Sequence, residues 1–288
     1  MNGATRAVFT GHLDWARAEA LAGVLGVAPP EDLPLLWHWI YLLPSVPQDQ
    51  LGPDGHPLSG VPAPPGPGMR RMFAGGSARS LRPLRLGRIA TRITELVGTR
   101  VREGRSGTLT FATVRTTIEQ DRAVAVQEEQ TIVYRAAAPA GPPAALPPAD
   151  PAPTAAYVRS LVADPVLLFR FSALTYNAHR IHYDRDYATG TEGYPDLVVH
   201  GPLQALLMLE AARVVHGSPA TEFEFRLEAP SFAGQQLWIS ADRSGVASSE
   251  GAANGGEPVD EVRTTVHIPG GRGASGTARF GTEPSPAR

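Results

Sequence analysis

The sequence contains no cysteine and no lysine. The absence of cysteine excludes disulfides, thiolate nucleophiles and cysteine-ligated zinc or iron–sulfur sites. All 26 basic residues are therefore arginine, which excludes Schiff-base chemistry and the phosphate-binding lysine of a Walker motif. Any chemistry must come from His, Asp, Glu, Tyr, Ser, Thr or backbone groups.

A strong net charge and long hydrophobic runs are also missing. The 288-residue chain has a formal net charge of −2, which does not favour nucleic acid or an anionic membrane as a partner. No run approaches the roughly 18 apolar residues of a membrane span, and the N-terminus lacks the apolar core of a signal peptide. We therefore expect a cytoplasmic protein that binds neither nucleic acid nor membrane.

Proline is concentrated in one segment, "AAAPAGPPAALPPADPAP", at residues 136–153. Proline at this density lacks the N–H donors of a sheet and favours an extended linker. The segment predicts an N-terminal unit at 1–135, a linker at 136–153 and a C-terminal unit at 154–288. Each unit has about 135 residues, a common domain size.

The two units share an order of elements. The first begins with a predicted helix between an Asp14 N-cap and a Gly26 stop, followed by segments rich in β-branched residues. A P-x-x-x-G turn separates strand-like runs in both units, at Pro83–Gly87 and at Pro230–Gly234. A shared element order with a matching turn predicts a duplicated unit.

The helix predicted at Pro202–His216 is apolar on most of its surface, which indicates burial nearly all round. Its polar side chains are Gln204, Glu210, Arg213 and His216. An antiparallel sheet wrapped around such a helix is a hotdog. We predict an α+β double hotdog, two such units in one chain.

Histidines are crowded just before this helix, and they are candidates for proton transfer because imidazole titrates near neutral pH. His179, His182 and His200 lie there, and Gly201 places a backbone N–H at the helix N-terminus. Such an amide has no intrahelical partner and can polarise a thioester oxygen. Gly201 is equally compatible with a simple N-cap. Asp184 can either orient His182 or cap the short helical turn that follows it.

Three other functions are less consistent with the sequence. His179, His182, Asp184 and His200 offer imidazole and carboxylate groups, but their spacing matches no H-E-x-x-H pattern, so we expect no metal. The G-x-G-x-x-G at 271–276 has no helix after it and is predicted to be a loop. The sequence has no G-x-S-x-G, which weakens a serine-hydrolase interpretation.

Two motifs of the C-terminal unit, "FSALTYNAHRIHYDRDYA" and "EGYPDLVVHGPL", resemble the hydratase motif of the MaoC-like hotdog family. They are most similar to the branch of mesaconyl-C4-CoA (3-methylfumaryl-CoA) hydratases and type 2 3-hydroxyacyl-thioester dehydratases. The segments "WHWIYLLP", "LGPDGHPLSG", "RRMFAGG" and "GRSGTLTFATV" resemble the first, non-catalytic hotdog of that branch. The resemblance spans most of residues 12–240.

The resemblance implies reversible addition of water to a 2-enoyl thioester, with coenzyme A as part of the substrate and no other cofactor. The family pattern D-x-N-P-L-H corresponds to residues 177–182, so the catalytic histidine is His182. Asn177 replaces the aspartate and His179 replaces the asparagine. We expect Asn177 to orient water through its amide, His182 to move the proton and Gly201 to stabilise the thioester oxygen.

The phosphates of coenzyme A call for arginines at the entrance, and Arg180, Arg70 and Arg71 are the candidates. His179 and His200 are further candidates for substrate contact. A small branched dicarboxylyl-CoA such as mesaconyl-C4-CoA is the expected substrate. Asn177 also leaves open a hotdog that binds acyl thioesters without turnover, and a hotdog thioesterase is a third alternative. Monomer and homodimer are both compatible with the sequence.

Overall fold

The computed structural model describes residues 5–64, 66, 68–104, 107–137, 145–244 and 260–281. Residues 245–259 and 282–288 lie outside this description, as do positions 138–144 of the predicted linker. Residues 145–156 have no regular secondary structure. The boundaries of the two units stay a prediction.

Strands dominate the chain, as the β-branched segments predicted. In chain order they are β1 (Arg6–His12), β2 (Asp32–Leu33), β3 (Met69–Ser80), β4 (Leu84–Arg85), β5 (Ile89–Gly104), β6 (Gly107–Gln120), β7 (Ala123–Ala136), β8 (Tyr157–Val162), β9 (Glu222–Leu227), β10 (Gln236–Ser244), β11 (Asp260–Ile268) and β12 (Gly271–Phe280). All their pairings are antiparallel.

The helices are few. They are α1 (Trp15–Leu25), α2 (Pro165–Thr175) and α3 (Gly201–His216), with 3₁₀ turns at Trp37–Ile40, Gln48–Gln50 and Arg180–His182 and a π-helical turn at Tyr187–Thr191. Within the described residues, no helix is both long and apolar enough to cross a membrane.

Ten strands form one continuous sheet in the order β1-β5-β6-β7-β3-β9-β12-β11-β10-β8. The first five in this order precede the proline-rich segment and the last five follow it. The halves meet where β3 pairs with β9, from Gly75 opposite Arg226 to Arg79 opposite Glu222. We call this pairing the seam.

The two halves repeat one corner, which supports the predicted duplication. In the first, the Asp14 side chain accepts the N–H of Arg17 at the start of α1, and Gly87 N–H donates to Leu13 O at 2.7 Å. In the second, the Asp164 side chain accepts the N–H of Leu167 at the start of α2. There Gly234 N–H donates to the carbonyl just before Asp164, at 3.0 Å. The glycines of the two P-x-x-x-G turns therefore form equivalent hydrogen bonds at the starts of α1 and α2.

Helix α3 is the centre of the core. Its residues from Leu203 to Ala212 are all buried, and it packs mainly on β10, β11 and β12. The N-terminal half has no described helix of this length between β2 and β3. The 3₁₀ turn Trp37–Ile40 is buried there instead, and Trp37 Nε1 donates to Glu210 Oε1 of α3 at 3.0 Å. One long helix thus anchors both halves.

The prediction of a loop at residues 271–276 is wrong, because these residues begin β12. The glycines there serve close packing. A Cβ on Gly276 would lie 2.6 Å from Phe223 Cζ, and one on Gly273 would lie 3.2 Å from Gln204 Oε1 of α3. The glycines in this strand are therefore explained by close packing against neighbouring side chains and not by a turn.

Candidate active site

Four imidazoles form a continuous row across the two halves. The ring centroids of His56 and His179 are 4.1 Å apart, those of His179 and His182 are 5.6 Å apart, and those of His182 and His200 are 3.7 Å apart and stacked. His179, His182 and His200 come from the predicted stretch. His56 comes from the other half and was not among the site residues predicted from the sequence. The structure therefore brings together the predicted histidines and adds one.

His182 is held in a defined orientation. It is 8% exposed, and its Nδ1 lies 2.7 Å from Val198 O. Because a carbonyl only accepts, Nδ1 carries the hydrogen and Nε2 keeps its lone pair. No hydrogen bond in the described part of the chain uses Nε2. Burial lowers the pKa of His182 to about 4, despite the opposing hydrogen bond to Val198, so its ring is neutral at pH 7.

The flanking histidines are also neutral. Burial, with the nearby His56 and His182, lowers the pKa of His179 to about 2. Burial, and then the nearby His182 and His179, hold the pKa of His200 well below its usual value. Nε2 of His200 lies 2.9 Å from Ser172 Oγ, while its buried Nδ1 has no partner among the described residues. His200 is the N-cap residue of α3, so its ring links His182 to the start of that helix.

Asn177 follows directly after the end of α2, where Tyr176 takes the left-handed conformation with φ of 52°. Its Oδ1 accepts the N–H of His179 at 3.0 Å, closing a turn that fixes the side chain. Its Nδ2 makes no hydrogen bond within the described residues. Asn177 therefore presents an amide donor to the cavity that it lines.

Gly201 is the first residue of α3, so its N–H has no intrahelical acceptor. A Cβ at this position would lie 2.2 Å from Leu227 Cδ1 and 3.1 Å from Phe73 Cδ1. Packing from both halves therefore excludes a side chain there. His200 connects Gly201 to His182, because its ring stacks on His182 and its main chain enters the helix.

Asp54 and His56 form a second functional feature, on the loop after Gly52. The carboxylate of Asp54 accepts the N–H of His56 on Oδ1 and lies 2.9 Å from His56 Nδ1 on Oδ2. Burial alone would raise the pKa of Asp54, but the hydrogen bonds and charge of His56 outweigh it and hold that pKa well below its usual range. Asp54 is therefore ionised.

This loop is pressed against the hydratase motif. Gly55 has φ of +88°, and a Cβ on it would lie 1.8 Å from Ala178 O. Arg180 N–H donates to Asp54 O at 2.9 Å. In the sequence, "LGPDGHPLSG" has a functional meaning only through the resemblance. Its one local signal is an Asp-Gly turn beside a histidine, because the residues that it contacts lie more than 120 positions away.

A cavity of about 390 Å³ opens beside the loop and the motif. Its polar lining includes His56, Ser172 and Asn177, and its apolar lining includes Leu43, Val46 and Phe169. His182, His179 and Gly201 are not part of that lining. The cavity thus reaches the ends of the imidazole row through His56 and through Ser172, the partner of His200.

The three predicted arginines have different surroundings. Arg180 donates from Nε and Nη2 to Asp184 Oδ2, and Asp184 also caps the turn at Tyr187. Asp184 therefore has the capping role considered above. Arg70 Nε lies 2.7 Å from Glu192 Oε2. Arg71 forms no ion pair with any carboxylate in the described part of the chain, and burial lowers its pKa.

One group of side chains has the composition of a metal site. Ligand atoms of Asp54, His56 and His179 all lie within 4.8 Å of one another. Both Asp54 oxygens, however, already accept hydrogen bonds from His56. A metal ion would have to replace those bonds, so the donor set suits a hydrogen-bonded pair better. The expectation of no metal stays a prediction.

Comparison with known proteins identifies relatives of the whole site region. A family model described as hydroxyacyl-thioester dehydratase type 2 matches residues 36–233. The mesaconyl-C(4)-CoA hydratase of Chloroflexus aurantiacus is 49% identical over 229 residues, which cover 76% of this chain and 80% of that protein. The mitochondrial hydroxyacyl-thioester dehydratase type 2 of Schizosaccharomyces pombe is 45% identical over 84 residues, 28% of each chain.

Solved structures share the fold at low identity. HtdX of Mycobacterium tuberculosis aligns with a TM-score of 0.64 at 19% identity and covers 95% of this chain and 100% of its own. Another M. tuberculosis protein, described as a double hotdog, aligns with a TM-score of 0.56 at 16% identity over 96% of each chain. The predicted α+β double hotdog is confirmed.

Proposed function

The chain belongs to the hydroxyacyl-thioester dehydratase type 2 family, and from this premise we propose that it reversibly hydrates the double bond of a 2-enoyl-CoA thioester. It is thus a hydro-lyase. The family match includes both the loop with Asp54 and His56 and the motif at 177–182. The similarity to a mesaconyl-C(4)-CoA hydratase along most of both chains supports a small branched dicarboxylyl-CoA as the substrate.

The observation that carries this proposal is the state of His182. Its Nδ1–H is fixed on Val198 O, and burial keeps the ring neutral. A neutral imidazole with one nitrogen anchored can accept a proton from water on the other. In the hydration direction, oxygen of that water bonds to Cβ of the enoyl group, and the π electrons move toward the thioester carbonyl.

Negative charge then develops on the thioester oxygen, and the N-terminus of α3 supplies the stabilising donor. Gly201 N–H lacks an intrahelical acceptor, and the helix dipole adds partial positive charge there. The absence of a Cβ lets Leu227 and Phe73 pack against this helix start. Asn177, with its Oδ1 held by His179 N–H, directs its amide donor toward the water.

Arg71 supports a substrate with a second carboxylate. It forms no ion pair among the described residues, although the carboxylate of Asp54 acts on it electrostatically and opposes the effect of burial on its pKa. A desolvated guanidinium without a directly paired carboxylate favours binding of a carboxylate. Arg70 and Arg180 stay proposed ligands for the phosphates of coenzyme A, with Glu192 and Asp184 fixing their positions.

A panel of enoyl-CoAs tests the proposal, with crotonyl-CoA and mesaconyl-C4-CoA compared first. Loss of double-bond absorbance reports hydration, thiol release reports a thioesterase, and binding without either reports a non-catalytic acyl-thioester protein. We expect hydration, with the dicarboxylyl substrate preferred. Wild-type protein that binds these substrates and leaves the double bond intact would refute the proposal.

The first variant to test is His182→Ala. Removing the base is expected to lower kcat/KM by about 10²–10⁴-fold, the usual contribution of general acid–base catalysis. Circular dichroism should show an unchanged fold. Near wild-type turnover in the folded variant would remove His182 from the mechanism.

We further propose that the protein acts in the cytoplasm as a monomer or homodimer. The seam already joins two hotdog-like halves in one sheet, so a second copy is not needed to complete it. Light scattering of the purified protein distinguishes the two states.

A further inference from the structure

The family's second proton-transfer group is absent from its usual position. Asn177 stands where the resemblance places an aspartate, and a carboxamide has no proton to exchange near neutral pH. Hydration of an enoyl thioester moves two protons, one away from water and one onto Cα. With Asn177 inert in this respect, His182 would have to carry both.

His56 lies where a second group is needed. It lines the cavity together with Asn177, and its ring contacts that of His179 at a centroid distance of 4.1 Å. It is also close enough to act electrostatically on His182. Its side chain is 16% exposed, so the imidazole is accessible from the cavity and not sealed in the core.

The orientation of His56 is set by Asp54. Both carboxylate oxygens of Asp54 are used by His56, one by its N–H and one by Nδ1. Nε2 forms no hydrogen bond with any described residue. This arrangement, a carboxylate on Nδ1 and a free Nε2, is how serine hydrolases orient a histidine for proton transfer.

We propose that His56, positioned by Asp54, is the second acid–base residue of this active site and exchanges the proton at Cα. This inference rests on the proposed function. The N-terminal half then contributes a catalytic residue, although the resemblance describes that half as non-catalytic. Asp54 acts through His56 and is a positioning residue.

The proton transfers balance with two histidines. The scheme requires that substrate binds with His182 neutral and with protons on both nitrogens of His56. Nε2 of His182 accepts a proton from water while the water oxygen bonds to Cβ. The π electrons form an enolate on the thioester, and Nε2 of His56 protonates Cα. Transfer of one proton from His182 back to His56 restores the starting state.

The surroundings of the two imidazoles support this division. His182 is buried beside a carbonyl, and burial lowers its pKa to about 4, which favours the neutral base. His56 lies 2.9 Å from the ionised carboxylate of Asp54 and lines the cavity, unlike His182. Titratable groups with opposite environments are the arrangement that assigns acid and base roles.

The first experiment is His56→Gln in the full chain. We expect kcat/KM for hydration to fall by about 10²–10⁴-fold while acyl-CoA binding persists. The matched control is His216→Gln, which removes another histidine paired with an aspartate, Asp260 at 3.4 Å. His216 lies at the opposite end of α3 from Gly201, so this control should keep wild-type turnover.

The second experiment separates a catalytic from a structural role. In deuterated water, wild-type enzyme and His182→Gln should both exchange the Cα hydrogens of a saturated acyl-CoA that resembles the hydrated product. His56→Gln should exchange these hydrogens at least tenfold more slowly. Asp54→Asn should shift the pH profile of kcat/KM and leave KM nearly unchanged. Absence of wild-type exchange, or exchange that depends on His182 instead of His56, would overturn the assignment.

Three outcomes keep this inference distinct from the proposed function. A wild-type enzyme that hydrates no enoyl-CoA defeats the function itself. An active wild type matched by His56→Gln defeats only the role of His56. Activity that is lost with a chelator and restored by zinc would mean that Asp54, His56 and His179 hold a metal ion, and it would equally overturn the acid–base role.

Discussion

The two halves of the molecule share the same corner and the helix that follows it, and they diverge after the residue that ends this helix. Both begin a helix with an aspartate cap, Asp14 in one and Asp164 in the other. Both end that helix with a left-handed residue, Gly26 with φ of 69° and Tyr176 with φ of 52°. After Gly26 the chain runs through the mostly exposed residues 27–32 before it reaches the buried turn at Trp37–Ile40, whereas directly after Tyr176 it forms the site.

This difference indicates how the duplicated scaffold divides its tasks. The first half uses glycine, which adopts the left-handed conformation without strain. The second half uses a tyrosine that is 63% exposed and lines the cavity. Strained backbone positions of this kind cluster at functional sites. The contact of Gly55 with Ala178 then brings the two halves together at the site.

The largest expected effect comes from breaking that contact with Gly55→Ala. A Cβ 1.8 Å from Ala178 O cannot be relieved by a side-chain rotation, so the loop must retract and carry His56 away. We expect a loss of about 2–4 kcal/mol in the free energy of unfolding and a large loss of turnover, measured by urea unfolding and by the hydration assay.

A matched control for this substitution is Gly217→Ala. Gly217 has a comparable φ of 95°, but nothing lies within 4 Å of its Cβ position. It therefore reports backbone strain alone, about 1 kcal/mol, and should keep activity. Equal losses in the two variants would show that the contact between the halves is unimportant.

The next effect is acid destabilisation of the second half. In the first half, buried His38 has a carboxylate partner, Glu128, at 2.9 Å. His182 has none, and its pKa falls from 6.5 to about 4 on folding. Below pH 6.5 the unfolded chain binds a proton that the folded chain does not, so stability is present above that pH and is lost as the pH falls toward 4.

For His182 alone this amounts to about 2 kcal/mol between pH 8 and pH 5. Urea unfolding at the two pH values measures the total, and His182→Gln should remove this share of it. If the variant keeps the full pH dependence, His182 is not buried in its neutral form.

Smaller effects are expected from the caps. Asp14→Ala and Asp164→Ala each remove one hydrogen bond to a helix N-terminus, a loss of about 1 kcal/mol in stability. Only Asp164→Ala should also reduce hydration, because α2 leads directly into Asn177. Parallel measurements of unfolding and turnover test this asymmetry, which equal activities in the two variants would contradict.

The smallest effect is expected from Tyr176→Gly, which makes the second half resemble the first. Relief of the left-handed strain should offset the added freedom of the unfolded chain, a net change within about 1 kcal/mol. The affinity for acyl-CoA should decrease because Tyr176 lines the cavity. Unchanged affinity, measured by calorimetry, would mean that the acyl-CoA does not contact that side of the cavity.

Local signals predicted much of the fold. The cap residues Asp14 and Gly26 bound α1 as expected, and α3 begins one residue before the predicted Pro202. The paired P-x-x-x-G turns correctly indicated a repeat, because each glycine lies in the left-handed region. These features depend on backbone chemistry within a few residues, which a sequence displays directly.

What the sequence did not predict depends on contacts between distant segments. Asp54 and His56 are candidates for function only because they pack against residues 177–182. The strand at 271–276 is rich in glycine because of Phe223 and Gln204, neighbours that arise only in the fold. The structure places His182 and Gly201 near one helix start, with His200 between them, and their catalytic roles stay predictions.

The register of the seam determines how the two halves of the site are positioned relative to each other. With strand residues advancing about 3.3 Å each, a slip of β3 against β9 by two positions would displace Phe73, and the chain leading to it, by more than 6 Å. A slip by a single position would point its side chains to the opposite face. The register from Gly75 opposite Arg226 therefore determines how the two halves of the site are spaced, and substitutions far from any imidazole can change that spacing by altering it.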